Sequence, residues 1–197
     1  MKESEKIGEV LEASTTSYIA QSYQLFKLPP LGSLVKTRDG DITIYGVVSG
    51  GSTGGIEPGR RPIARGQDEE NEEAVYKTSP QLDKLLKSEF SVLVIGHREG
   101  DAVRHYLPPR PARIHGFVYQ CNNAEIKAFS SSLGFLNIII TSSSAVPAEE
   151  LVAASLRNMS LVQEDKHAFL VASGKELAHL LSGELNRLKA ILERIKK

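Results

Sequence analysis

The chain has 197 residues, of which 41% are hydrophobic and 24% are charged, and its formal net charge is zero. Those proportions are typical of soluble globular proteins, and the length allows one large domain or two small ones. A neutral chain has no overall field that would draw it onto DNA, RNA or an anionic membrane, so any nucleic-acid site must be a local patch.

The cysteine content and the apolar segments bear on the cellular location. Cys121 is the only cysteine, which excludes an intramolecular disulfide and favours a reducing compartment. The first residues, MKESEKIGEV, lack the apolar core of a signal peptide, and no apolar run approaches the roughly 20 residues of a membrane helix. We therefore expect a cytoplasmic protein without a membrane segment.

The N-terminal half has the pattern of β-strands. Residues 6–14 and 17–26 are short segments rich in β-branched and aromatic residues, and residues 41–49, DITIYGVVS, alternate between two faces. Gly40 after an aspartate indicates a hairpin turn in front of the alternating segment. Residues 90–98, FSVLVIGHR, form a nearly continuous apolar run, which is typical of a strand buried on both faces.

A charged segment lies between the last two predicted strands. Ser79 and Pro80 supply an N-cap and a first-turn proline, and the leucines of the following LDKLL lie on one helical face. We therefore predict a helix inserted near residues 68–88.

Beyond a proline-rich linker that starts near residue 106, the apolar period becomes helical. The segment PAEELVAASLRNM begins with Pro147 and acidic residues, which suit the positive end of a helix dipole. Residues 174–197 carry apolar side chains at spacings of three and four. The sequence therefore predicts an α+β protein, with a β-rich domain at 1–106 and an all-helical domain at 107–197.

The glycine-rich residues 50–55, GGSTGG, raise the question of a phosphate-binding loop. A Walker loop needs GxxxxGK[ST] between a strand and a helix, but here Ile56 and Glu57 follow the last glycine and no lysine is present. We interpret the segment as a flexible or turn-rich connection and keep an anion-binding role open. The SGKE at 173–176 has no glycine five positions before it, so we interpret it as a turn or a helix start.

A basic cluster follows the glycines and is itself followed by five carboxylates between residues 68 and 73. The acidic run can neutralise the arginines within one solvated loop, or each group can face a different partner. Aromatic residues are sparse there, so stacking on single-stranded nucleic acid is not supported. The candidate residues for a ligand or a partner are Arg60, Arg61, Arg65, Gly54 and Gly55.

The sequence holds no recognisable catalytic or metal-binding pattern. His97, His105 and His115 lie near Cys121, but their spacing matches no zinc motif. A pair of Cys121 and His115 has the chemistry of a nucleophile and its base, but no local signature supports it. We expect a protein that is not an enzyme and has no catalytic residues, no metal and no cofactor.

The C-terminal apolar stripe is a second candidate contact. It packs inside its own domain or pairs with another chain, and both alternatives stay open. The residues of this candidate interaction helix are Leu185, Leu188, Ile191, Leu192 and Ile195.

Several segments together resemble a known barrel family. IGEV near the start, LPPLGSLVKT leading into a strand, IYGVVS closing a hairpin, and SPQLDKLLKSEFSVLVIGH are similar to the HAS-barrel, the small β-barrel shared by HerA-type ATPases and ATP synthase catalytic-ring subunits. The resemblance covers roughly residues 5 to 100. The C-terminal half looks like the helical tail of stand-alone bacterial HAS-barrel proteins.

The resemblance implies an N-terminal HAS-type β-barrel, and the switch of the apolar period from about two to about 3.6 predicts six or seven strands within about residues 5 to 106 and helices only beyond them. The resemblance also implies that Pro29, Pro30 and Gly32 form a corner and that Gly46 relieves crowding on a curved strand. In the family, the barrel is an assembly module that contacts neighbouring subunits or a partner nuclease. This sequence has no Walker motif and no length for an ATPase domain, so the resemblance implies the assembly role alone.

Two functional hypotheses follow. In the first, the protein is a non-catalytic interaction module that docks on itself as a homo-oligomer or on a partner such as a HerA-type ATPase or nuclease system. In the second, residues 50–66 bind nucleic acid or a phosphate ligand. The acidic run beside the arginines disfavours the second hypothesis.

Overall fold

A computed structural model of the chain describes residues 4–57, 59 and 61–196, which form seven strands and seven helices. The strands are β1 (Lys6–Ala13), β2 (Ser17–Ser22), β3 (Leu34–Asp39), β4 (Ile42–Gly55), β5 (Leu86–Glu99), β6 (Ala102–Arg104) and β7 (Phe117–Gln120). The helices are α1 (Glu72–Thr78), α2 (Leu82–Leu85), α3 (Asn123–Phe129), α4 (Phe135–Thr141), α5 (Ala148–Ser160), α6 (Lys166–Leu180) and α7 (Leu185–Ile195). The fold is therefore mixed α+β, as the sequence predicts.

The strands of the N-terminal half close into a barrel. Antiparallel pairing runs in the order β2-β1-β7-β3-β4-β5, and β5 pairs again with β2, so six strands form a ring and β6 extends from β5 outside it. Closure leaves the ring without free edges. The interior is filled by buried apolar side chains, among them Val10, Tyr18, Ile44, Phe90, Val92 and Val118.

One strand of the barrel lies where we expected helices only. β7 pairs with β1 and β3 and so completes the ring, although it lies beyond residue 106. That part of the prediction is wrong, because a strand of four residues next to three prolines has too little alternation to stand out in the sequence. The division of the chain into two domains at residue 106 stays a prediction.

The corner before β3 connects the barrel with the helices. Gly32 has a φ of 76°, and its N–H donates to the carbonyl of Val48 at 2.8 Å. A Cβ at Gly32 would lie 2.5 Å from the backbone nitrogen of Ser155 in α5. At Gly46, which lies opposite a bulge in β5, a Cβ would overlap the side chain of Val92. Both positions therefore require glycine.

Helices α3 to α7 cover one outer face of the barrel. Tyr45 and Ile95 of the strands share an apolar cluster with Phe129, Leu156 and Ile191 of the helices. The ring centroid of Phe129 lies 5.1 Å from that of Tyr45, so an aromatic pair joins the two layers. No helix among the described residues is long and apolar enough to cross a membrane.

The last helix is held against α5 by ion pairs as well as by apolar contacts. The Nε of Arg187 donates to Glu149 Oε1 at 2.5 Å, and this hydrogen bond holds the pKa of Glu149 below its usual value. Arg194 forms a second ion pair with Glu150. Both acceptors lie in the first turn of α5, where negative charge is favoured by the helix dipole.

Three local helix predictions need correction. The segment near 68–88 forms two short helices, in which Ser79 caps the end of α1, Gln81 precedes α2, and Leu86 already belongs to β5. The SGKE at 173–176 lies inside α6 and not at a turn or helix start, since the Ser173 hydroxyl donates to the Phe169 carbonyl one turn earlier. The helical stripe after residue 174 is interrupted at Gly183, whose φ is 91°.

Candidate interaction site

β4 and β5 continue beyond the barrel as a two-stranded ribbon. Residues 50–55 pair with residues 91–86, and the chain between them, residues 56–85, carries α1 and α2. We call residues 50–88 the arm. The glycines at 50–55 therefore lie in a strand, which corrects the interpretation of this segment as a flexible or turn-rich connection.

The base of the arm is fastened to the barrel at Phe26. This residue has a left-handed φ of 65°, which costs a residue other than glycine about 1–3 kcal/mol. Its N–H donates to the Ser88 hydroxyl at 2.9 Å, and that hydroxyl lies 2.7 Å from Thr53 Oγ1 on the opposite strand. The Phe26 ring meets Tyr76 of α1 edge-on, with centroids 5.6 Å apart. The strained residue thus holds both the ribbon and the first helix of the arm.

Three of the predicted site residues meet at one cavity on the arm. Gly55, Arg61 and Arg65 line a cavity of about 240 Å³ together with Lys84 and Glu57. We call this cavity the arm pocket. Its remaining walls are apolar and come from Ile56, Pro62, Ile63, Leu82, Leu85 and Leu86.

The two other predicted site residues stand apart from the pocket. Gly54 precedes Gly55 in β4 and is not part of the pocket lining. Arg60 lies outside the described residues.

Arg61 and Arg65 are not paired with the acidic run of the arm in the described part of the chain. Arg61 and Arg65 are exposed and form no ion pair with the carboxylates of residues 68–73. Glu69 instead accepts a hydrogen bond from the Thr78 hydroxyl at 2.9 Å. Among the described residues, therefore, the acidic run does not neutralise the arginines, and both sets of charges are available to another surface.

The arm also exposes apolar side chains. Ile63 is 74% exposed, Ile56 48% and Leu85 42%, and neither α1 nor α2 contains a buried residue. Contiguous apolar surface of this kind marks an interaction site in soluble proteins. The sequence analysis selected the arginines and missed Ile63 and Lys84, although an isoleucine between Pro62 and Ala64 in a polar loop is a usable signal.

The C-terminal stripe is mostly covered by the chain itself. Ile191 and Ile195 are buried in the cluster shared with α5, and Leu188 and Leu192 are partly buried. Leu185 is 77% exposed. Of the five predicted residues, Leu185 thus offers the most surface to another chain.

The histidines near Cys121 make separate contacts. His97 Nδ1 lies 3.1 Å from the carbonyl of Tyr106, His105 Nε2 lies 3.0 Å from that of Phe129, and His115 pairs with a surface glutamate. Burial raises the pKa of the Cys121 thiol and so disfavours the thiolate that a nucleophile needs. Across residues 4–57, 59 and 61–196, no three His, Cys, Asp or Glu side chains are placed to hold a metal ion.

The sequence matches no protein-family model and no curated protein. The functional conclusion therefore depends on the geometry of the arm.

Proposed function

We propose that the protein is a non-catalytic assembly module that associates with a second copy of itself through the arm. The observation that carries this proposal is the exposed apolar surface around the arm pocket, formed by Ile56, Ile63 and Leu85. Neither helix of the arm buries a residue against the barrel. An ordered segment with that composition is stabilised when a second surface covers it.

The charges support association without dominating it. The formal net charge of the chain is zero, so two copies do not repel each other at long range. Arg61 and Arg65 are free to donate bidentate hydrogen bonds to carboxylates across the interface. Each such pair at an exposed rim contributes about 0–1 kcal/mol, so burial of the apolar side chains supplies most of the free energy of association.

The resemblance to the HAS-barrel family points in the same direction. In that family the barrel is an assembly module, and five of the six ring strands of this chain lie within residues 5 to 100, where the resemblance lies, while β7 lies beyond it. We extend the proposal to a HAS-type identity for the barrel. A partner in trans, such as a HerA-type ATPase or nuclease system, then remains the alternative to a second copy.

The hypothesis of a phosphate ligand has one observation in its favour. Arg61, Arg65 and Lys84 line the same cavity, and three cations around about 240 Å³ attract an anion. Glu57 lines that cavity as well, and the carboxylates at 68–73 follow along the chain. These carboxylates disfavour a phosphate, so we rank this function second.

A matched pair of surface variants tests the assembly proposal. Ile63 on the arm is 74% exposed and Leu161 at the end of α5 is 72% exposed. In sedimentation velocity over a concentration series, we expect the wild type to self-associate and Ile63→Glu to raise the dissociation constant at least about tenfold, because a charge replaces buried apolar surface. We expect Leu161→Glu to behave as the wild type. A wild type that stays monomeric at the highest concentration, or equal effects of both variants, contradicts the proposal.

A further inference from the structure

The ribbon of the arm has a free edge along β4, and a shorter one along residues 86–88 of β5, where the pairing with β2 has ended. β3 pairs with β4 as far as Val47, and from Gly50 to Gly55 the described part of the chain provides no strand on that side. On the other side, the same residues pair with β5 throughout. The closed barrel thus extends an edge strand beyond its rim.

The backbone hydrogen bond at the end of the ribbon shows which residues of β4 bond to β5 and which face outward. The N–H of Ile56 donates to the carbonyl of Leu85 at 2.9 Å, which makes these two residues a hydrogen-bonded pair. In an antiparallel ladder such pairs recur at every second residue, so Gly54 and Ser52 also exchange hydrogen bonds with β5. The intervening residues Gly51, Thr53 and Gly55 direct their N–H and C=O groups away from β5.

This edge carries neither charge nor proline, and the irregularities beside it, a bulge between Val48 and Gly50 and the Leu28 side chain against Gly51, lie at its base. Edge strands of soluble proteins are generally blocked by lysine, proline, a bulge or a covering segment. Residues 50–55, GGSTGG, contain no charge and no proline, and a Cβ added at Gly50 or Gly54 would meet nothing within 4 Å. Glycine inside a strand often marks a place where another backbone approaches closely.

We infer that the edge pairs with the same edge of a second copy, antiparallel, about a two-fold axis through Thr53. This inference rests on the proposed function and specifies its contact. Both members of a hydrogen-bonded pair between the two copies must be outward-facing residues. With the axis at Thr53, this residue faces Thr53 of the second copy, and Gly51 faces Gly55 of the second copy. Each of these pairs exchanges two backbone hydrogen bonds.

The sequence around the axis favours a second copy over an unrelated strand. Ser52 and Gly54 lie one residue from Thr53, and Gly51 and Gly55 lie two residues away, so the small side chains are nearly symmetric. Facing threonines are a favourable cross-strand pair, and the absence of charge avoids repulsion. The antiparallel arrangement also places the tip of each ribbon, with its arm pocket, beside the base of the other ribbon.

A cysteine at the axis tests the register. Facing residues of a hydrogen-bonded pair have Cα atoms about 5.5 Å apart, which is within the range that a disulfide bridges. We expect Thr53→Cys to form a disulfide-linked dimer under a glutathione redox buffer. Ser52→Cys is the control, because its copies would be diagonal neighbours about 7–8 Å apart and should cross-link far less. The native Cys121 is buried and does not interfere.

A proline at the same position tests the hydrogen bonds. The N–H of Thr53 does not serve the internal ladder, so Thr53→Pro should keep the backbone hydrogen bonds of each copy while it removes a donor at the axis together with the hydroxyl contact to Ser88. We expect an unchanged far-ultraviolet circular dichroism spectrum and a dimer dissociation constant raised at least tenfold. Ser52→Pro, in contrast, removes an internal hydrogen bond and should lower the melting temperature of the monomer.

The outcomes separate this inference from the proposed function. If the wild type self-associates but Thr53→Cys does not cross-link and Thr53→Pro has no effect, the edge pairing is wrong and assembly through the rest of the arm stands. If the wild type is monomeric at every concentration, both are wrong.

Discussion

Replacing Gly32 by alanine is expected to lower the free energy of unfolding by about 2–5 kcal/mol. The left-handed φ of 76° costs about 1–2 kcal/mol for a residue with a Cβ, and overpacking adds about 1–3 kcal/mol. The new Cβ would lie 2.5 Å from the nitrogen of Ser155 and 2.6 Å from the carbonyl carbon of Ala154, both in the backbone of α5. A helix backbone cannot move aside as a side chain can. Urea denaturation followed by circular dichroism measures the change.

Gly40 provides the matched control for this prediction. It also has a positive φ, 58°, but a Cβ at this position meets nothing within 4 Å. We expect Gly40→Ala to show the conformational cost alone, about 1–2 kcal/mol. Equal destabilisation by the two substitutions would mean that the contact between the corner and α5 contributes nothing.

Replacing Phe129 by alanine is expected to cost about 3–5 kcal/mol, the usual range for a fully buried phenylalanine. The side chain is 1% exposed, and its ring lies 5.1 Å from that of Tyr45 and 5.5 Å from that of Phe135. It therefore fills space between the barrel and the helical layer, and its removal leaves a cavity there. Thermal and urea unfolding of the variant measure the loss.

The control for Phe129 is a phenylalanine on the barrel surface. Phe117 in β7 is 46% exposed, so Phe117→Ala should cost much less than the core substitution. A Phe129→Ala protein as stable as Phe117→Ala would contradict the assignment of Phe129 to the contact between the layers.

Local patterns predicted most of the fold. Gly40 marks the turn between β3 and β4 with a φ of 58°, and Pro147 directly precedes α5. Such signals depend on neighbouring residues alone. β7 was missed because a strand of four residues owes its state to pairing with β1, which lies over 100 residues earlier in the chain.

The role of the candidate site residues stays a prediction, and the structure shows only which of them lie together. Arg61 and Arg65 do meet Gly55 at one cavity, as a cluster of arginines and glycines indicates. The strand state of residues 50–55 could not be recognised, because glycine disfavours strands and the pairing partner begins only at Leu86. The apolar spacing correctly predicted a helix at α7. Periodicity does not tell, however, whether α5 or another chain covers Ile191.

Amide hydrogen exchange resolved by nuclear magnetic resonance, measured over a range of protein concentrations, tests the assembly account most directly. The outward N–H groups of Gly51, Thr53 and Gly55 have no internal acceptor in the ribbon, so they should exchange rapidly in dilute protein and slow as the concentration rises. The inward N–H groups of Ser52 and Gly54 should be protected at every concentration. Outward amides whose exchange does not change with concentration would contradict self-association through this edge.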